Sequence, residues 1–272
     1  MAARKVSARE RDEKALPGYA RRGNGQPGET LMCGRFNMTA DPLTRLFMRL
    51  VGQPFPGPDR LNVAPTETVP VVATEAGAGT RRIAEMRWWL VPHWAKEPST
   101  RYAMFNARAE GLARSRAFRD PFARRRCLVP VSGFYEWLRE DGRKVPYLVT
   151  ADADDGLLLA GLWDRWQGDD ASLETFTVVT TAAAPDLRWL HDRQPVILGP
   201  AGAETWLDPA ARADALLDCT AAGLPVAIAV TAVDPRVNNA RFKEAACTVA
   251  AGPVRHFGPS SPSARKADSS SI

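Results

Sequence analysis

The chain is poor in the side chains that build metal and disulfide centres. Its 272 residues include four cysteines and three histidines. Cys33, Cys127, Cys219 and Cys247 lie far apart with no Cys-x-x-Cys pair, which excludes a disulfide framework and leaves no zinc-site spacing. No metal and no cofactor is expected. Long apolar runs are also missing: no stretch approaches the roughly eighteen residues of a membrane span. The first 31 residues carry Arg4, Lys5, Arg9, Arg11, Lys14, Arg21 and Arg22 without the apolar segment of a secretory signal. The expectation is a cytoplasmic protein with no membrane partner. Internal repeats and heptads are absent as well, so nothing demands a partner helix and a monomer is expected.

What remains is ordinary globular material, 45% apolar and 25% charged, long enough for one large domain or two small ones. The net charge of +5 invites a nucleic-acid partner, but residues 1–31 hold seven basic and four acidic side chains and so supply +3 of it. A more local signal lies between Arg108 and Arg126, where seven arginines stand against Glu110 and Asp120. Such density suits phosphate contacts, although a solvated surface is the commoner meaning of a charge run.

Residues 1–31 and the Ser-rich tail from Gly258 lack apolar periodicity and are expected to be disordered, leaving a domain over 32–257. Asp41-Pro42 reads as the start of an amphipathic helix through Leu43, Leu46, Phe47 and Leu50. Strands are expected at 68–74, 81–90, 127–131, 134–139, 145–150, 157–166, 175–181, 195–198 and 226–233. Gly77-Ala78-Gly79 and Asp141-Gly142 supply hairpin turns. Residues 201–219 read as a helix. Short links between many strands predict an α+β fold, mainly antiparallel, with a barrel-like sheet and a few peripheral helices.

Four stretches carry chemistry. In Met32-Cys33-Gly34-Arg35-Phe36, removal of Met32 leaves Cys33 with a free α-amine beside its thiol. Reference pKa values of about 8 for the amine and 8.5 for the thiol leave both partly deprotonated near neutrality. Such a 1,2-aminothiol condenses with an aldehyde to an imine and then, by sulfur addition, to a thiazolidine ring. A lone cysteine is more often a small buried hydrophobe. Asn106-Ala107-Arg108-Ala109-Glu110 offers an uncharged amide and a planar guanidinium, or simply a helix cap. Gly133-Phe134-Tyr135-Glu136-Trp137 places Glu136 on the alternation of Phe134 and Leu138. A carboxyl on a core-facing position is raised in pKa by desolvation and becomes usable for proton transfer. His191-Asp192-Arg193 holds a histidine, which titrates in the physiological range, just before an apolar strand.

In their order, together with Asn62-Val63-Ala64-Pro65, the segment Trp88 to Trp94 and a late Val237-Asn238, these stretches resemble the SOS-response-associated peptidase family of abasic-site-processing proteins. The resemblance runs from Met32 to about residue 257. It implies a protein that binds single-stranded DNA at an abasic site and links to the sugar aldehyde through Cys33. By the same resemblance Asn106, Glu136 and His191 are catalytic. Arg35 and Arg108 would hold DNA phosphates, and Pro65 and Trp94 would fill space beside the missing base. One departure is plain: 31 residues precede Met32, and an amide-bonded Cys33 cannot close a thiazolidine. A start at Met32 is the expectation, with a cleaved extension or an inactive precursor as the alternatives. Two other readings stay open, a thiol autopeptidase that releases residues 1–32 and a non-covalent single-strand-binding module.

Overall fold

The computed structural model of the protein describes residues 34–74, 79–153, 155–169 and 171–260. Cys33, the two segments 1–31 and 261–272, and the Gly77-Ala78 turn lie outside the described residues. In chain order the strands are β1 (Phe36–Met38), β2 (Arg60–Val63), β3 (Thr68–Thr74), β4 (Arg81–Trp88), β5 (Asn106–Arg108), β6 (Arg126–Val131) and β7 (Gly133–Glu140). They continue with β8 (Arg143–Ala151), β9 (Leu157–Gln167), β10 (Ser172–Ala182), β11 (Arg193–Pro195), β12 (Ile197–Leu198), β13 (Ile228–Ala232) and β14 (Arg255–Phe257). The helices are α1 (Ala40–Val51), α2 (Arg119–Arg124), α3 (Pro200–Leu207) and α4 (Ala213–Asp218).

Strands β10, β4, β3, β6 and β9 pair in that order, and β9 pairs back onto β10 to close a five-stranded barrel. The six-stranded sheet β14-β13-β8-β7-β1-β2 is antiparallel throughout. The fold is therefore α+β and mainly antiparallel, with parallel pairing confined to β10 against β4 and β5. Strand β9 is apolar and buried from Leu157 to Trp163, as a strand covered on both faces must be. The Asp141-Gly142 turn joins β7 to β8 with φ of 47° and 75°, the two left-handed residues that a tight hairpin needs. Gly133, at the head of β7, has a different reason to be glycine: a Cβ there would stand 2.9 Å from the Val149 carbonyl oxygen and from Thr150 Cγ2.

Helix formation departs from expectation at two places: α2 stands where no helix is expected, and a later helix divides. The helix read over 201–219 is two helices, because Pro209 follows the end of α3 and cannot continue its hydrogen-bond ladder. At the other end of the chain, Ser260 makes an antiparallel bridge with Leu224. No helix among the described residues is long and apolar enough to cross a membrane, and no group of three or more His, Cys, Asp or Glu among them could hold a metal.

Trp88, wholly buried, is the hub on which the layers meet. Its ring lies 4.6 Å from that of Phe36, 6.2 Å from Phe105 and 6.3 Å from Phe176, and its indole N–H donates to the Phe105 carbonyl at 2.8 Å. Phe36 belongs to the six-stranded sheet, Phe176 to the barrel, and Phe105 immediately precedes Asn106. One aromatic cluster thus fixes the strand that follows Cys33 against the strand that carries Asn106.

Candidate functional site

Strand β1 runs beside β7 with Phe36 opposite Phe134 and Asn37 opposite Gly133. The ladder continues, since the Tyr135 N–H donates to the Arg35 carbonyl at 2.9 Å. Carried one residue further, this register sets Gly34 against Glu136. Glu136 is 3% exposed, and Oε1 accepts from the Trp137 N–H at 3.2 Å. The carboxyl therefore occupies a position on the Phe134 face, as alternation requires.

Asn106 lies in β5, a strand rather than a helix cap, paired in parallel with β10 so that Asn106, Ala107 and Arg108 face Val178, Val179 and Thr180. Strand β11 uses the neighbouring part of β10, with Arg193 opposite Ala182 and Pro195 opposite Thr180. The Asn-Ala-Arg and His-Asp-Arg stretches therefore flank one strand. A clasp joins them directly: Arg193 Nη1 donates to Glu110 Oε1 at 2.8 Å and Nη2 to Oε2 at 3.0 Å, while Nη2 also reaches the Thr180 carbonyl at 2.9 Å. Burial pushes the Glu110 carboxyl up, but the hydrogen bonds and charge of Arg193, its own backbone N–H and nearby Arg108 outweigh it and hold the group below its ordinary value. A two-pronged guanidinium–carboxylate pair also fixes orientation, which a single contact would not.

The His191 side chain is 7% exposed. Its Nδ1 accepts the Arg193 N–H at 3.0 Å, which assigns the proton of the neutral ring to Nε2. Asp192 Oδ1 stands 2.8 Å from the same Nδ1, ready to accept if that nitrogen becomes protonated. The segment before His191 returns toward Glu136. Trp189 meets Tyr147 edge-on at 5.1 Å, and Tyr147 is the residue directly opposite Glu136 in the β7–β8 ladder.

Arg35 is partly buried and turned inward. Nη1 donates to Asn62 Oδ1 at 2.9 Å and to the Val237 carbonyl at 3.1 Å, and the guanidinium lies 5.9 Å from the Trp137 ring centre. Burial draws its pKa below the ordinary value, partly countered by Glu67. Sequence reasoning gave Asn62 no role, yet it organises this corner. It is fully buried with φ of 51°, and Nδ2 reaches the carbonyls of Val237, Asn239 and Phe242 at 3.1, 3.0 and 2.9 Å. The signal was a lone amide between Leu61 and Val63, of the type that tolerates the left-handed region. Val237-Asn238 thereby acquires a structural meaning, for Asn238 Oδ1 also accepts from the Trp137 indole N–H.

Pro65 and Thr66 form the middle of a tight turn, with Thr66 at φ 82° and the Glu67 N–H donating to the Ala64 carbonyl at 3.2 Å, a type II geometry with proline at its preferred place. The Thr66 N–H donates to the Trp88 carbonyl at 2.8 Å, so this turn adjoins the start of the Trp/Pro-rich loop. Within that loop Trp88, Trp89, Leu90 and Val91 are core, while Trp94 is 43% exposed. The loop is pinned by buried Asp164, whose Oδ2 accepts from the His93 N–H at 2.9 Å, and by the Thr175 hydroxyl, which accepts from the Val91 N–H at 2.8 Å. The Arg116 guanidinium covers the Trp94 ring at 4.2 Å.

The arginine run divides by role. Arg108, Arg114, Arg116, Arg119 and Arg124 are exposed. Arg126 is buried and donates to the carbonyls of Trp206, Phe122, Ala123 and Asp208 at 2.7 to 2.8 Å, and Arg125 Nε stands 3.1 Å from Asp164. Two of the seven thus serve the fold, and the count of cations available to phosphate is smaller than the sequence suggests. Burial also pushes the thiols of Cys127, Cys219 and Cys247 up, so all three are held protonated at neutral pH and are unsuited to nucleophilic work.

Comparison with known proteins places this geometry in context. Residues 32–240 match the model of the family described as SOS response associated peptidase. The abasic site processing protein YoqW of Bacillus subtilis is 33% identical over 183 residues, 65% of this chain and 81% of the relative. The abasic site processing protein HMCES of Xenopus tropicalis is 31% identical over 177 residues, 54% of this chain and 53% of the relative. A solved structure of a protein from Bacteroides thetaiotaomicron shares the fold with a TM-score of 0.62 at 22% identity, covering 75% of this chain and 93% of its own.

Proposed function

The chain belongs to the SOS response associated peptidase family, and from that premise we propose that it captures abasic sites in single-stranded DNA by covalent attachment through Cys33. The observation that carries the reading is the register of β1 on β7, which runs the chain next to Cys33 along the strand of a buried carboxyl, Glu136. Relatives bearing the name abasic site processing protein support the substrate class. The working domain is taken as residues 32–257, acting as a monomer beside DNA in the cytoplasm.

The steps follow from the groups present. An abasic deoxyribose is mostly a closed hemiacetal; His191 in its doubly protonated form, with Asp192 beside Nδ1, gives its Nε2 proton to the ring oxygen while water takes the proton of the anomeric hydroxyl, which opens the aldehyde and leaves the imidazole neutral. The free α-amine of Cys33, exposed by loss of Met32, adds to the carbonyl carbon to give a carbinolamine. Glu136 in its protonated form delivers a proton to the departing hydroxyl, water leaves and an imine remains. The Cys33 sulfur then adds to the imine carbon, nitrogen gains a proton, and the five-membered ring closes. One water is lost overall and no electron is transferred. Asn106 orients the amine by its amide, and the exposed arginines, with Arg108 foremost, hold the phosphates on either side. Pro65 and Trp94 occupy the space the base has left. Arg35 acts at this site through a guanidinium already held by Asn62 and Val237.

The test uses two chains, one beginning at Met1 and one at Met32, each mixed with a single-stranded oligonucleotide carrying one abasic site and run on a denaturing gel. A shifted band from the Met32 chain that disappears in Cys33→Ala is expected. Equal shifts with and without Cys33 would overturn the reading. A trimmed N-terminus in the Met1 chain, lost on Cys33→Ser, would reveal the autopeptidase activity that the same groups could support.

A further inference from the structure

The ladder that carries Glu136 extends across the whole six-stranded sheet. Phe134 on β7 stands opposite Val149 on β8, Val149 opposite Val230 on β13, and Val230 opposite Arg255 on β14. Glu136 lies two residues along from Phe134, so Glu136 and Arg255 project from the same face of the sheet. Three strand spacings of about 4.8 Å, with an offset of about 7 Å for two residues along the strand, put them roughly 16 Å apart. Between them the face is occupied by aromatic rings: Tyr147, opposite Glu136, meets Trp189 edge-on, and the Arg255 guanidinium covers the Trp189 ring at 4.2 Å. The side chain is exposed, and no carboxylate pairs with it among the described residues. Its strand is fixed by the hydrogen bond between His256 Nδ1 and Asp152 Oδ1 at 2.6 Å. Arg255 lies beyond the residues 32–240 that match the family.

We propose that Arg255 is a backbone-phosphate contact for the DNA strand, placed by Trp189 at the end of the Phe134 row, three strands across the same face from Glu136. The inference rests on the DNA-binding reading above. A guanidinium flat on an indole keeps its N–H edge free and loses little freedom on binding, which suits a phosphate oxygen better than a mobile lysine would. Its contact would carry no sequence preference.

The experiment measures equilibrium binding of the Met32 chain to an intact single-stranded oligonucleotide, without an abasic site, over a series of salt concentrations. Using intact DNA separates this question from crosslinking: a protein that binds but never crosslinks still tests Arg255, and one that binds no DNA overturns both readings together. Losing one phosphate contact lowers the slope of log K against log salt by about 0.7 for a single strand. Between 50 and 200 mM salt Arg255→Ala should therefore lose about 2.6-fold less affinity than the unaltered chain. Arg255→Lys should retain the slope. An unchanged slope in Arg255→Ala would overturn the proposal. So would an unchanged slope with slower crosslinking at saturating abasic DNA, which would make Arg255 a support for Trp189 and the His191 segment.

Discussion

Replacing Asn62 by alanine should be among the most destabilising single changes in the chain. The side chain is fully buried, its two amide hydrogens are shared by three carbonyls, and its oxygen accepts from Arg35. Neutral bonds of this kind contribute about 1 kcal/mol each and a bond from a charged donor somewhat more. Alanine in the left-handed region adds about 1 kcal/mol. With some entry of water allowed, the expected loss is about 4 kcal/mol, read by urea denaturation as a lower midpoint at unchanged slope. Asn62→Asp separates the causes. Aspartate tolerates the same backbone angle and keeps an acceptor for Arg35, but at pH 7 it sets a carboxylate against three carbonyl oxygens. It should be at least as damaging as alanine and recover partly in acid, when a protonated carboxyl can donate. An aspartate variant as stable as the parent at pH 7 would refute the reasoning, since it would mean that backbone conformation and not hydrogen donation holds the 237–242 loop.

Other perturbations test other corners. Glu136→Gln should slow thiazolidine formation by about a hundredfold or more while leaving affinity for intact single-stranded DNA unchanged, as read from gel time courses and from binding isotherms. Arg126→Met should cost about 3 kcal/mol or more, because four buried carbonyls lose a charged donor, with no change in the salt dependence of DNA binding. Glu174 receives hydrogen bonds from Arg82 at 2.7 Å and Arg165 at 2.6 Å; burial pushes its carboxyl up, but these two cations outweigh it and the pKa falls below the ordinary value. A depressed folded-state pKa stabilises above the unfolded value of about 4.3, and that stability is lost as pH drops through the folded value. Glu174→Gln should therefore be less stable than the parent at pH 7, with the gap closing below about pH 4 in urea titrations.

Much of the fold is legible because its long strands obey simple alternation or run fully apolar. Strands β3, β7, β9 and β10 lie within two or three residues of where the side-chain pattern sets them, and Asp141-Gly142 announces its hairpin. Strands β1, β5 and β14 are three residues each, too short to show a period, and they exist because a neighbouring edge accepts them. The candidate site is legible as separate motifs and not as an arrangement. Nothing local tells that Glu110 will clasp Arg193, 83 positions away, or that Asn62 will bind a loop some 180 positions further on. Composition also conceals role. Arg126 and Arg124 look alike in a charge count, yet one caps buried carbonyls and the other faces solvent.

The attachment of the 237–242 loop to Arg35 and Asn62 bears on how the molecule is made. A ribosome releases Arg35 202 residues and Asn62 175 residues before Val237, so through most of synthesis they have each other but not the carbonyls of the 237–242 loop. Barrel closure meets the same delay, since β4 waits for β10 before Arg87 can face Thr175. Non-local pairings of this length form late and slowly. The bonds that tie Arg35 and Asn62 to the 237–242 loop are therefore among the last to form, and a chain cut short before Val237 lacks them although β1 can already pair with β2 and β7. Arrival of residues 237–242 is itself the step that finishes this end of the site.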